Sequence, residues 1–245
     1  MSPIKISLLK LGNLKHPIDL ERMKSWKSNI FEITEIKETS AIQGPSDEDG
    51  NGIAFYGDTT LDSIIPAKAG KLTVALIAAP LEGNFYLRPI SESKAIISLY
   101  EMADIIRAYN YTIENYILRN LYTIVTAYVF ADQKLSEKIL ALGHPHQRCL
   151  FDMNLEKGDI IFSLHKPILC DTCRGKMRTK ALPHNFLNHL DRELPQIRRA
   201  RYYQIADWIK NHPLISLFSA SLFAVFLNLV ASGVYELGKN LIGLK

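Results

Sequence analysis

The residues best suited to chemistry in this chain are three cysteines, Cys149, Cys170 and Cys173, with His144 and His146 just before the first. An odd number of thiols does not close into a disulfide framework. The spacing, Cys-x20-Cys-x2-Cys, suits a metal ion. Two thiolates two residues apart turn toward one ion, and a third thiolate with one imidazole completes a tetrahedron. Zinc accepts thiolate and imidazole without redox chemistry. The expected ligands are Cys149, Cys170, Cys173 and His144, or His146 in its place. His165 stands in a strand or turn that points elsewhere. Four protein ligands leave no open position, so such a zinc is structural and activates no water. Asp152 is either an ordinary turn residue or the acceptor of the second ring N–H of a bound histidine, as carboxylates beside metal sites are.

The elements that must position these residues read as strands first and helices after. Residues 4–10 form a short strand, and 16–30 a short helix with Trp26 on its apolar face. Residues 30–38 alternate apolar and polar side chains, as a half-buried strand does. Residues 44–52, rich in Gly, Pro and acids, form a loop. They lack the twelfth-position Glu and the flanking helices of a calcium loop. The apolar run 71–79 is a strand buried on both faces. Residues 85–88 form an edge segment stopped by Pro89, which cannot join a ladder. Residues 94–99 give a further buried strand. Helices follow over 100–109, 112–130 with Thr112 as N-cap, and 136–142. Strands, a long helix and a cysteine module in this order imply an α+β domain with a helical exit.

The order of strand 71–79, edge Pro80–Tyr86, strand 95–98 and long helix resembles a zincin metalloprotease core. The tail Cys149 … Met153 … Cys170-x-x-Cys173 is similar to the structural zinc module of archaemetzincins. The resemblance implies a zincin-like fold over about residues 70–177. It does not carry the peptidase residues. Metzincins place His-Glu-x-x-His on the long helix, and this chain has no His-Glu pair. Asn115 and Arg119 have the i, i+4 spacing, but a guanidinium has no lone pair to offer a metal. No catalytic residue is assigned, and the absent peptidase motif leans against an enzyme without deciding the question. A divergent metal-dependent hydrolase is the alternative.

The other feature is physical. Residues 211–235 carry no charged side chain, enough for one helix across a hydrocarbon core of ~30 Å. Arg192, Arg198, Arg199, Arg201 and Lys210 precede the run, and only Lys239 and Lys245 follow it. Basic residues stay on the cytoplasmic side of a span. The chain start lacks the pattern of a secretory signal. A single-pass protein of the inner (plasma) membrane is expected, with its large N-terminal part in the cytoplasm. Tyr202, Tyr203 and Trp208 lie toward one interface and Tyr235 toward the other, where such rings are favoured. The formal charge of +4 is too small to imply nucleic acid. The basic residues Arg174, Lys176, Arg178 and Lys180 serve topology and anionic lipid, with a nucleotide or nucleic-acid partner as the second use.

Five segments result: an α+β domain 1–142, a cysteine module 143–180, a basic juxtamembrane stretch 181–210, a span 211–235 and a tail 236–245. The closing block resembles the C-terminal anchors of bacterial antiphage effectors. It implies a protein that self-associates in the inner membrane and impairs it, with lipid and a regulatory protein as partners and no clear small-molecule substrate. Asn228, a polar amide inside the span, is the candidate contact for self-association. A non-enzymatic tether for a soluble partner is a further alternative.

Overall fold

The computed structural model describes residues 2–39, 42–45, 47–48, 52–135 and 142–242, with backbone alone over 236–242. The helix expected over 136–142 lies, apart from its last residue, outside them. Two units are distinguished, Met1–Arg199 and Ala200–Lys245.

The first unit is a mixed α/β fold. Its sheet has the order β2-β1-β5-β7-β6, from β1 (Ile4–Leu11), β2 (Phe31–Thr39), β5 (Leu72–Ile77), β6 (Leu87–Ser91) and β7 (Lys94–Ser98). All pairs are parallel except β6 with β7. A separate ribbon pairs β3 (Asp47–Glu48) with β4 (Ala54–Phe55). The Asp47 carboxylate there accepts the Gly57 N–H at 3.2 Å.

Strand β5 is buried at every position, which accounts for its unbroken apolar run. Leu72, Val74 and Leu76 face one core with Ile6, Leu8 and Ile97. Ala75 and Ile77 face a second, with Leu61 and Ile65 from α2 (Asp58–Ile64) and its exit. Pro89 lies inside β6, where the expected edge segment should have stopped. A missing N–H is harmless on the open side of an edge strand, and the register shifts between Pro89 and Ser91.

Against the larger core lie α3 (Met102–Ala108) and α4 (Ile113–Phe130). Thr112 caps α4, its side chain accepting the Asn115 N–H at 3.2 Å. All of α4 except Tyr128 and Phe130 is buried, so its polar side chains must find partners inside. Tyr116 donates its hydroxyl to Ser98 O at 2.8 Å, and burial pushes its pKa well up. Tyr122 donates to Glu193 at 2.8 Å and accepts from Trp26 Nε1 at 3.0 Å. Glu193, at the end of α6 (Phe186–Glu193), also accepts from Ser28 Oγ and from the Asn29 backbone. This buried carboxylate ties the last helices of the unit to the chain just before β2. Residues 16–30 contain only a short helix, α1 (Leu20–Lys24), capped by Asp19. Trp26 lies beyond its end, held by Tyr122 instead of by a helical face.

The second unit contains α7 (Arg201–Asn211) and α8 (Pro213–Ile242). Pro213 through Tyr235 is long and apolar enough to cross a membrane, with mean hydropathy 2.2 and none of it buried.

Candidate metal centre

The chain from residue 142 to 178 is organised by short backbone exchanges, not by a sheet. His144 N–H donates to Phe151 O at 3.1 Å, and Met153 N–H returns to His144 O at 3.2 Å. Leu150 N–H donates to Ile168 O, and Ile168 N–H to Arg148 O, both at 2.9 Å. These exchanges bring the two ends of a long loop together beside α5 (Asp171–Arg178). Cys170 is the N-cap of α5, and its Sγ accepts the Cys173 N–H at 3.5 Å. A thiolate at that position gains from the helix dipole.

His144, Cys149, Cys170 and Cys173 converge, their ligand atoms all within 4.8 Å of one another. Cys149 Sγ lies 3.9 Å from Cys173 Sγ. His144 Nε2 lies 3.0 Å from Cys170 Sγ and 3.8 Å from Cys173 Sγ. Around zinc, with Zn–S near ~2.3 Å, a tetrahedral sulfur–sulfur edge is ~3.8 Å. The set is therefore compatible with zinc, and the sulfurs are too far apart for a disulfide. All three cysteines are buried and His144 half-buried, as in a closed structural site.

The imidazole is oriented for ligation. His144 Nδ1 lies 3.1 Å from Leu142 O, and donation there leaves the Nε2 lone pair facing the sulfurs. The candidate acceptor, Asp152, is adjacent only through the backbone, and its Oδ1 accepts the Asn154 N–H at 3.4 Å. His146 is exposed and directs Nδ1 toward Gln147 O, outside the cluster. His165 is also outside it.

Electrostatics favour a cation among the sulfurs. A hydrogen bond between Cys149 and Cys173 holds the Cys149 thiol below its ordinary value. That bond, with burial and the neighbouring negative sulfur, pushes Cys173 up. Three thiolates and a neutral imidazole around Zn²⁺ would carry net negative charge. Arg119, 1 % exposed on α4, supplies a nearby positive charge. Its guanidinium donates to Cys149 O at 3.4 Å, Ser163 Oγ at 3.1 Å and Asn120 Oδ1 at 2.9 Å. Spacing alone had offered Arg119 only as a non-ligand. Its role beside the module became visible when Cys149 O was placed against α4. Thr123, one turn on, donates to Leu150 O at 3.2 Å. Arg119 and Thr123 also line a cavity of about 270 Å³ with Leu87, Leu150 and Met153.

Asn228 lies in α8, within an exposed stretch of the helix. Among the basic residues after the module, Arg174 is committed to Asp191 through two hydrogen bonds. Lys180 lies 3.6 Å from Asp132 and over the Phe130 ring.

No family model, curated protein or solved structure matches this chain. Function therefore has to be argued from the metal centre, the exposed helix and their surroundings.

Proposed function

We propose that the chain is a membrane-anchored cytoplasmic protein whose large unit is closed by a structural zinc. The observation that carries this reading is the pairing of a buried Cys₃His cluster with a helix that buries none of its apolar surface. Pro213–Tyr235 is 23 residues long; at ~1.5 Å per residue it matches a ~30 Å core. Arg198, Arg199, Arg201 and Lys210 on its N-terminal side support a cytoplasmic large unit. Helix α7 supports an approach along the headgroups. Its exposed Tyr202, Ile205, Trp208 and Ile209 recur at helical spacing among Arg201 and Lys210.

The finer proposal is an antiviral effector of a bacterial inner membrane, acting by self-association in the bilayer. Its support is Asn228, whose amide in hydrocarbon seeks a partner worth ~1 kcal/mol. The zincin-like reading is supported by the run of β5, antiparallel edge β6, β7 and α4. The carry-over stops at α4, where Arg119 stands as a counter-charge and not as a ligand.

Inducible expression of the full chain, with growth and membrane potential followed, tests the effector step. Wild type should depolarise the membrane, and Asn228→Leu should reduce crosslinked oligomers ~5-fold and relieve the effect. Oligomers and toxicity unchanged by Asn228→Leu would refute that step while leaving the anchor and zinc intact.

A further inference from the structure

On the first unit lies an open cleft of about 670 Å³, whose lining includes Arg148, the residue before Cys149. Three separate segments bring Arg148, His165, Lys166 and Arg199 to its wall, and none of the described residues lining it is acidic. Among the described residues Arg148 and Lys166 form no ion pair with a carboxylate. Tyr109 and Phe162, half exposed at 52 % and 45 %, form aromatic walls.

The cations are held in place. Arg148 Nη2 donates to Lys166 O at 3.0 Å. Lys166 N–H donates to Ile197 O at 2.8 Å, and Arg148 O accepts from Ile168. The Arg199 guanidinium lies 5.2 Å from the Tyr111 ring centroid. Three non-glycine residues of the wall have left-handed backbones: Asn110 at φ 59°, Arg148 at 73° and Lys166 at 52°. Asparagine adopts this region readily, whereas Arg148 and Lys166 each cost about 1 kcal/mol or more there. Inside the ring of cations, His165 Nδ1 is buried with no hydrogen-bond partner. Burial, then Lys166, Arg199, Arg148 and Arg198, push its pKa down. The potential there is positive, and an anion in the cleft would relieve the repulsion among the cations.

We propose that this cleft is a phosphate-monoester site. Arg148, Lys166 and Arg199 hold the phosphate, and Tyr109 and Phe162 pack against the organic group it carries. A dianion with several acceptor oxygens suits donors that arrive from three directions. A planar base suits the aromatic walls. The phosphate has two sources, a soluble nucleoside monophosphate or the headgroup of phosphatidic acid. The soluble source does not need the membrane reading.

The test uses the full chain in phosphatidylcholine nanodiscs, titrated with inorganic phosphate, AMP and adenosine in a calorimeter. Phosphate and AMP should bind, and adenosine should bind at least ten-fold more weakly. Lys166→Gln and, separately, Arg199→Gln should each weaken AMP ~10-fold or more, since each removes a charge-assisted hydrogen bond. Unchanged zinc content in both variants shows that the fold is kept. Repeating the AMP titration in discs doped with phosphatidic acid, or with phosphatidylserine, separates the sources. Competition by phosphatidic acid alone assigns the lipid headgroup, and no competition assigns the soluble ester. Absence of phosphate binding, equal affinity for adenosine, or AMP affinity untouched by both substitutions overturns the proposal.

Discussion

Residues 1–199 and 200–245 treat apolar surface in opposite ways. In the first unit the strands and α4 bury nearly all of theirs, and even Arg119 and Glu193 are enclosed and hydrogen-bonded. In the second, Leu214, Phe218, Phe223 and Leu229 are each more than half exposed. Fully burying a side chain of this kind is worth ~1.5–3 kcal/mol, and this helix, long and apolar enough to cross a membrane, leaves them all outside. The first unit solves a different problem. Its residues 142–178 hold together through isolated backbone exchanges, and a shared metal would supply the cohesion that a sheet gives elsewhere. On the proposed function, metal and membrane serve separate parts of one chain, and perturbing either should leave the other unaffected.

The largest expected effect is on the first unit. Structural zinc contributes on the order of 10 kcal/mol. Chelation, or Cys173→Ser, should abolish the cooperative melting of the large unit by near-ultraviolet circular dichroism. The chain should still resist carbonate extraction from membranes. The converse experiment comes next. Phe223→Arg with Phe226→Arg adds ~3 kcal/mol per arginine to insertion. The variant should partition to the soluble fraction while its zinc content stays that of wild type.

Smaller changes sharpen the account within the first unit. Glu193→Ala removes the acceptor shared by Tyr122, Ser28 and Asn29. Leaving those donors buried should cost ~3 kcal/mol in denaturant unfolding. Arg119→Met removes the charge facing the module, and competition with a chromophoric chelator should show metal affinity reduced ~10-fold. The smallest effect concerns Glu35, on β2. Lys68 and Lys71 beside it lower its carboxyl from 4.5 to about 2. A carboxyl lowered on folding stabilises above its unfolded value and loses that contribution as pH falls through the folded one. Glu35→Gln should therefore be less stable than wild type at neutral pH. The difference should shrink from about pH 4.5 and vanish near pH 2 in parallel acid titrations.

Local signals carried the parts of the structure that were legible. The spacing of Cys149, Cys170 and Cys173 marked the three sulfurs of the cluster, because ligand spacing is a sequence property, but it left His144 and His146 both open as the fourth member. Thr112 announced α4 through its capping chemistry. The uncharged run defined the exposed helix by length alone. Contacts between distant residues stayed hidden. Trp26 was assigned to a helical face, but its partner Tyr122 lies far along the chain. Helix α4 is covered on both sides, by the sheet and by the loop around Leu150, and its sequence range alone does not show this. Asp152 was next to His144 for good backbone reasons, and Leu142 O took the ring N–H. The cleft cations come from segments that no spacing rule connects.

The central claim is that one chain uses a metal to close one region and a membrane to receive the other. Its most direct test is zinc analysis and thiol alkylation on carbonate-washed membranes carrying the full chain. The account predicts that the protein stays in the pellet with equimolar zinc, and that Cys149, Cys170 and Cys173 react only after chelation. Protein washed free of the membrane, or retained without zinc and with its thiols freely alkylated, would contradict it.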